Sequence, residues 1–309
     1  MSQFNFTKNF DEMNSYLKER IDRGIEENRK GQATLKFIDK EGNPLENIKV
    51  DIKQTRHDFQ FGCNIFMLDG FETDRETEMY KDLFKNIFNL AIAPFYWGTL
   101  EPEPGKLRFN KDSEYIFRRP APDLVVEYCE KNNIDIKGHC LLWQMIYPDW
   151  LPDDKEKVKP YIVKRFREIA ERYKDKINAW DVVNEPLARY HHPEVIFPED
   201  YLFWCYKEAD KYFPYNKLML NEVTKSWFDY NYENTHFYLI LENLLLRGAR
   251  IDGIGLQYHL FGGKDQLREN RDIILNPEHL FKILDLYGKF NLPIHVSEIT
   301  IPAYSNEVE

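Results

Sequence analysis

The spacing of apolar positions along the chain changes at about residue 60. Before that point, residues 9–30 place their apolar side chains on one face of an otherwise polar segment, which predicts a helix. Two strand-like runs follow at 33–38 and 48–54, separated by a turn-forming stretch at 39–44. These patterns predict that residues 1–58 form an accessory region made of a helix and a β-hairpin.

Beyond residue 58, short apolar runs alternate with longer segments of helical periodicity. The runs predict seven strands, at Phe61–Ile65, Leu90–Pro94, Asp135–Leu142, Ile177–Val183, Lys217–Asn221, Gly253–Tyr258 and Ile294–Ile299. The intervening patterns predict helices near 74–86, 121–132, 155–174, 200–212, 230–248 and 277–289. Strand–helix alternation is typical of a parallel sheet, and eight such units close a barrel. We therefore predict an α/β fold, a TIM (β/α)8 barrel, over residues 59–309.

The predicted barrel is one strand short of closure. Its seventh strand ends at Ile299 of a 309-residue chain, so little sequence follows it. We therefore expect a barrel that is incomplete at its C-terminal end, with the missing unit supplied by a longer parent chain. The alternatives are that the N-terminal strands or a second chain cover the gap, because an unpaired sheet edge is a liability.

Composition argues against several kinds of partner. The net charge is -10 at pH 7 and no basic stripe is present, which argues against nucleic acid. No apolar run approaches the ~20 residues that span a bilayer, so no membrane segment is predicted. The N-terminus shows no signal peptide, which leaves an intracellular protein and a secreted one with its signal omitted both open. The oligomeric state is left open as well.

The residues that commonly bind metals do not form a metal-binding pattern. Four cysteines are present, Cys63, Cys129, Cys140 and Cys205. No two of them have the two-residue gap of a zinc or redox motif, so we predict free and mostly buried thiols. The adjacent His191 and His192 have no third ligand at metal spacing, so we interpret them as loop residues. We expect neither a metal nor a cofactor.

Polar side chains recur where the predicted strands end. They are His139 and Trp143 on the third strand, Asn184 and Glu185 on the fourth, Asn221 on the fifth, Gln257 and His259 on the sixth, and Glu298 on the seventh. In a parallel barrel the active site lies at the C-terminal ends of the strands. A single polar strand residue is more often a satisfied core group, but polar residues on five strands favour a functional cleft.

Two of these residues are carboxylates on strands that face each other across a barrel. Such a pair suits cleavage of a glycosidic bond, because one protonated group can protonate the leaving oxygen while the other attacks the anomeric carbon. The retaining route needs the two groups about 5–5.5 Å apart. Glu185 and Glu298 are distant in sequence, so the barrel would have to bring them together.

Five motifs, in order along the chain, resemble those of family 10 glycoside hydrolases, the xylanases. They are Phe61-Gly62, Gly138-His139-Cys140-Leu141-Leu142-Trp143, Trp180-Asp181-Val182-Val183-Asn184-Glu185-Pro186, Gly253-Ile254-Gly255-Leu256-Gln257-Tyr258-His259 and Val296-Ser297-Glu298-Ile299. One motif alone would be a weak signal, since Asn-Glu-Pro also occurs in related barrel hydrolases. The order of all five makes the resemblance specific.

The resemblance implies a role for each polar residue. Glu185 would be the general acid and then the base, with a raised pKa, and Glu298 would be the ionised nucleophile. His259 would hydrogen-bond the nucleophile, and Asn184 would donate to the 2-hydroxyl of the sugar. The other residues would surround the same sugar: Gln257 and His139 would hold its ring, Trp143 would form an apolar wall, and Asn221 matches the position of a family asparagine.

The chain also departs from the family pattern. Gln144 stands where the third-strand motif usually continues with His, and Glu222 stands where Asp usually follows the asparagine. The second strand continues as Ala93-Pro94-Phe95-Tyr96-Trp97, without the Glu-Asn pair and nearby Lys that bind sugars further along the cleft. The tryptophans of the family's eighth strand are absent. The changes at Gln144 and in the second strand leave the specificity at the non-reducing end open.

These observations predict a retaining glycoside hydrolase that cleaves internal β-1,4 linkages of xylan. Its substrate would be xylan or a xylo-oligosaccharide. Two alternatives remain: a related β-glycan or xylo-oligosaccharide hydrolase with altered distal subsites, and a catalytically impaired carbohydrate-binding protein. Both carboxylates, His259 and Asn184 are present, which favours an enzyme over a binding protein.

Overall fold

A computed structural model describes residues 7–55, 57–188, 197–261 and 273–301. It contains one sheet of seven parallel strands in chain order. The strands are β1 (Gly62–Asn64), β2 (Leu90–Pro94), β3 (Asp135–Trp143), β4 (Ala179–Asn184), β5 (Lys217–Glu222), β6 (Gly253–His259) and β7 (Ile294–Thr300). All seven predicted strands are confirmed, and their ends differ from the prediction by at most two residues.

Helices alternate with the strands, as the sequence predicts. Labelled in chain order, they are α1 (Lys8–Asp11), α2 (Ser15–Asn28), α3 (Asp74–Ile87), α4 (Trp97–Leu100), α5 (Pro122–Asn132), α6 (Lys155–Tyr173), α7 (Tyr201–Tyr212), α8 (His236–Leu246) and α9 (Pro277–Gly288). Their starts follow local chemistry: the Asn276 side chain accepts the N–H of Glu278 and Pro277 occupies the first turn of α9. The predicted helix at 230–248 begins later, after Thr235, because residues before it form turns.

Each strand of the sheet pairs only with its neighbours in chain order. Within the described residues β1 and β7 do not pair with each other, so the sheet is an incomplete barrel with two edges. The core is formed by apolar side chains of the strands and of the helices that follow them. Register places the C-terminal ends of the strands side by side: Trp143 is opposite Asn184, Asn184 is opposite Asn221, and Gln257 is opposite Glu298.

The N-terminal helix is confirmed as α2, but the predicted hairpin strands are wrong. The structure shows no strand at 33–38 or 48–54; only a turn at Phe37–Leu45 closes, with a single bridge between Ile38 and Pro44. The alternating apolar side chains of the second run stay in solvent, and Ile52 is 82% exposed. Without a surface to pack on, a two-stranded ribbon is at best marginally stable. The boundary at residue 58 stays a prediction.

Candidate active site

All eight residues predicted for the site lie together at the C-terminal edge of the sheet, and seven of them form one hydrogen-bonded group that His139 approaches without joining. Glu185 follows the last residue of β4 and adopts a left-handed backbone conformation, with φ of 53°. Its N–H donates to the carbonyl of Asn221 at 2.9 Å, which ties the turn to β5. Glu298 lies within β7, two strands beyond β5 in the sheet.

One side chain joins the two carboxylates. The Gln257 amide nitrogen donates to Glu185 Oε1 at 2.7 Å and to Glu298 Oε1 at 3.0 Å. The distance between Glu185 Oε1 and Glu298 Oε1 therefore cannot exceed the sum of these two hydrogen-bond lengths. That sum is below ~6.5 Å, the shortest carboxyl separation typical of inverting glycosidases. A glycosidic bond placed between the carboxylates would be within reach of both carboxyl groups.

Glu298 is surrounded by donors. Asn221 Nδ2 donates at 2.8 Å, His259 Nε2 lies 3.2 Å from Oε2, and His139 Nε2 lies 3.8 Å from Oε1. Burial alone would raise the pKa of Glu298, but the charge of His139, the His259 hydrogen bond and the charge of Lys137 outweigh burial and hold the pKa below its usual range. This carboxyl group is therefore kept ionised.

Glu185 is shifted in the opposite direction. Burial is the largest effect and raises its pKa, and the negative charge of Glu298 adds to the rise. Hydrogen bonds from Gln257 and from Trp143, whose Nε1 lies 3.1 Å from Oε2, oppose the rise without cancelling it. Carboxylates whose pKa values are driven apart in this way can act as acid and nucleophile in one reaction.

Asn221 connects Asn184 to the hydrogen-bonded group around the two carboxylates. Its amide nitrogen donates to Asn184 Oδ1 at 2.8 Å as well as to Glu298, and its amide oxygen accepts the Ser297 hydroxyl. The side chains of Asn184 and Asn221 are both buried. The ends of β4, β5 and β7 are thus cross-linked by amide groups beneath the carboxylates.

A buried ion cluster beneath the site was not predicted from the sequence. Asp181 Oδ2 accepts from Lys137 Nζ at 2.8 Å and lies 2.8 Å from His139 Nδ1, and all three side chains are buried. Burial would raise the pKa of Asp181, but Lys137 and His139 lower it to about 2. The same carboxylate helps to raise the pKa of His139 against the effect of burial. The sequence signal for this cluster was the presence of two charged residues, Lys137 and Asp181, inside otherwise apolar strands.

Two aromatic contacts of the site were also missed. The Tyr96 ring meets His139 edge-on at 5.4 Å between centroids and lies 5.5 Å from Trp143. Phe261 stacks on His259 with centroids 4.5 Å apart and is largely exposed. Tyr96 belongs to the stretch that lacks the Glu-Asn pair and nearby Lys of the family's second strand.

Several residues that the sequence singled out have structural roles. Trp97 is buried, and its Nε1 donates to Glu101 Oε2 at 3.0 Å, so it belongs to the core and not to a cleft. Gln144 is buried, and its amide nitrogen donates to the carbonyl of Ala188 at 3.1 Å. The four cysteines are free, as predicted, and three of them are buried.

Metal and membrane features were searched over the described part of the chain. Within 7–55, 57–188, 197–261 and 273–301, no group of three His, Cys, Asp or Glu side chains could hold a metal ion. His191 and His192 lie outside the described residues. No helix in the same ranges is long and apolar enough to cross a bilayer.

The fold and the site together define a barrel-type glycoside hydrolase, with two carboxylates of opposite pKa shift at the C-terminal edge of parallel strands. The model of the family described as glycosyl hydrolase family 10 matches residues 52–309. The chain belongs to this family.

Relatives and solved structures agree with this assignment. Endo-1,4-beta-xylanase A of Caldicellulosiruptor saccharolyticus is 29% identical over 85% of this chain and 74% of its own length. Anti-sigma-I factor RsgI6 of Acetivibrio thermocellus is 27% identical over 89% of this chain but only 33% of its own length. The structure of xylanase 10B from Thermotoga petrophila in complex with xylobiose matches 80% of this chain and 72% of its own with a TM-score of 0.61. At 21% identity, that match shows the fold alone.

Proposed function

We propose that this chain is a retaining endo-β-1,4-xylanase. The bridge from Gln257 to both carboxylates is the observation that carries the proposal, because it holds Glu185 and Glu298 close enough for direct attack on the anomeric carbon. The xylan substrate is supported by relatives named as endo-1,4-beta-xylanases and by the xylobiose complex of a similar fold.

The first step would form a covalent sugar ester. Protonated Glu185 gives its proton to the glycosidic oxygen while a carboxylate oxygen of Glu298 attacks the anomeric carbon, and the bond to the leaving sugar breaks. In the second step Glu185, now ionised, takes a proton from water as the water oxygen attacks the same carbon. The ester bond to Glu298 breaks, and a sugar of retained configuration leaves.

The neighbouring residues would support these steps. His259 and Asn221 hold the Glu298 carboxylate in place and stabilise its charge. Asn184 would donate to the 2-hydroxyl of the sugar at the cleavage point, a contact that strengthens in the transition state. The same sugar would be held by Gln257 and His139, with Trp143 as an apolar wall.

The test combines activity with stereochemistry. Reducing sugar released from xylan and from mixed-linkage glucan would be measured for the wild type, for Glu298→Ala and for the exposed control Glu127→Ala. We expect xylan cleavage that Glu298→Ala abolishes and Glu127→Ala leaves unchanged. Proton NMR of the first product should show retained configuration, and an inverted product would contradict the mechanism. Faster cleavage of the glucan would reassign the substrate to a related β-glycan.

A second candidate function is carbohydrate binding without turnover, the alternative that the sequence left open. One relative, which is 27% identical over 89% of this chain, is named an anti-sigma-I factor and not a xylanase. Titration calorimetry of the wild type with xylotriose or xylohexaose separates the two functions. Binding with no product after prolonged incubation would favour the binding protein, and product formation would favour the enzyme.

A further inference from the structure

Glu222, the last residue of β5, has a buried carboxyl group whose hydrogen-bond partners within the described residues are backbone N–H groups. It is 1% exposed, and no Lys, Arg or His in the described ranges lies within ion-pair distance of it. Its Oε1 accepts the N–H of Val223 at 2.7 Å, and its Oε2 accepts the N–H of Leu187 at 3.0 Å. The two oxygens therefore join the end of β5 to the segment that follows β4.

That segment is the turn that carries Glu185. The left-handed conformation of Glu185 is strained for a residue with a Cβ, and such strain persists only where surrounding contacts hold it. Pro186 has no N–H to contribute. The Glu185 N–H donates to the carbonyl of Asn221, the Leu187 N–H donates to Glu222, and the Ala188 N–H returns to the carbonyl of Glu185 at 3.1 Å.

We propose that Glu222 is a positioning residue for the acid/base step. By accepting the Leu187 N–H it fixes the Glu185-Pro186-Leu187 turn against β5, and so it fixes where the Glu185 carboxyl stands relative to the scissile oxygen. This inference rests on the proposed function, because it assigns Glu222 a part in the same reaction.

The side chain suits this task for reasons of length and of charge. Glutamine would offer one acceptor oxygen and one NH₂ group, and the NH₂ group would face a backbone N–H that needs an acceptor. Aspartate is one methylene shorter and would not reach both donors. Burial raises the pKa of Glu222 to about 8, although the hydrogen bonds from the Val223 and Leu187 N–H groups lower it.

The experiment compares two aryl xylobiosides that need different amounts of acid assistance. The 2,4-dinitrophenyl leaving group departs without a proton, whereas the phenyl leaving group needs the general acid. In Glu222→Gln and Glu222→Asp, kcat/KM for the phenyl substrate should fall by roughly 10²-fold, and that for the dinitrophenyl substrate by less than about tenfold. Equal losses on both substrates would overturn the proposal and leave only a structural role.

A matched control and a second measurement complete the test. Asp252 also accepts a strand N–H, that of Leu218 at 2.9 Å, but at the start of β5, so Asp252→Asn should leave the ratio of the two substrates unchanged. Amide hydrogen exchange at Leu187 should be faster in both Glu222 variants. Unchanged exchange would overturn the proposal. If the wild type cleaves neither substrate, the proposed function fails, and the exchange rates still decide whether Glu222 holds the turn.

Discussion

Glu185 and Glu298 have the same Gln257 donor, yet their surroundings shift their pKa values in opposite directions. Around Glu298, cationic and donating groups on β3 and β6 outweigh burial. Around Glu185, burial and the charge of Glu298 outweigh the donors. The charge of Glu298 thus helps to raise the pKa of Glu185, because an ionised carboxylate disfavours ionisation of a neighbouring carboxyl group.

The pH dependence of activity should follow from these two directions. In the proposed mechanism, the nucleophile Glu298 is neutralised as pH falls through its lowered pKa, and the acid Glu185 loses its proton as pH rises through its raised pKa. We therefore expect a bell-shaped profile of kcat/KM against pH. In Glu298→Gln the negative charge is gone, so carbon-13 NMR should show a lower pKa for Glu185 than in the wild type.

An exposed charge provides the control for this titration. Glu127 is paired with Lys111 on the surface, and Glu127→Gln should leave the pKa of Glu185 unchanged. A Glu185 pKa that stays the same or rises in Glu298→Gln would contradict the coupling between the two carboxylates.

Lys137 should matter both for stability and for the nucleophile. Its ammonium group is buried against Asp181, so Lys137→Met removes the buried cation that pairs with this carboxylate and leaves it with His139, at a cost of about 3–5 kcal/mol. Removal of this positive charge should also raise the pKa of Glu298, which moves the acidic limb of the activity profile to higher pH. Urea unfolding measures the first effect, and the activity profile measures the second.

The exposed Lys111 offers a comparison for Lys137. Its pair with Glu127 lies at the surface, where ion pairs contribute little, so Lys111→Met should change neither urea unfolding nor the acidic limb. A Lys137→Met protein as stable as the wild type would show that the buried pair does not support the fold.

At the scale of elements, β3 and β4 approach each other closely at Gly138. A Cβ at this position would lie 2.1 Å from a ring atom of Trp180, which is itself buried between Phe95 and Phe213. Gly138→Ala should therefore cost about 1–3 kcal/mol in urea unfolding and lower xylan hydrolysis, since His139 is the next residue. Gly24 in α2 has open space, so Gly24→Ala should instead stabilise by about 0.5–1 kcal/mol. Equal effects of the two changes would contradict the close packing.

The strands and the carboxylates could be predicted because each has a local signature. A buried parallel strand is a continuous apolar run, and catalytic side chains stand where such runs end. The run at 48–54 in the predicted hairpin alternates apolar and polar residues as a strand does, but this pattern could not show that no surface covers its apolar side. Asp181 and Glu222 were missed as partners because their roles depend on which groups face them from another strand.

At the scale of the whole molecule, the N-terminal helix lies against the last described helix. Arg20 of α2 pairs with Asp285 of α9, with one bond of 2.8 Å, and its guanidinium lies 4.3 Å above the Phe281 ring. Asn9 also donates to the carbonyl of Leu275 at 3.2 Å. These contacts join the N-terminal region to the β6–β7 side of the sheet, while the β1 edge lies at the other end of the strand order.

Near the β1 side, helix α3 presents apolar side chains to solvent. Met79, Leu83 and Ile87 follow one another at four-residue spacing and are each between 54% and 57% exposed. A contiguous stripe of this kind promotes contact with other apolar surfaces, whereas single exposed leucines are ordinary. We expect the protein to self-associate as its concentration rises and to bind an apolar dye such as ANS.

Replacing the stripe should reduce both properties without unfolding the chain. Glutamine is a good helix former and the three side chains are largely in water, so the variant Met79→Gln/Leu83→Gln/Ile87→Gln should keep its stability within about 0.5 kcal/mol. Sedimentation velocity at several concentrations should show less association, and ANS fluorescence should fall. Leu246→Gln removes one leucine that is 81% exposed on α8 and should change neither measurement. Equal association of the triple variant and the wild type would mean that the stripe does not drive contact.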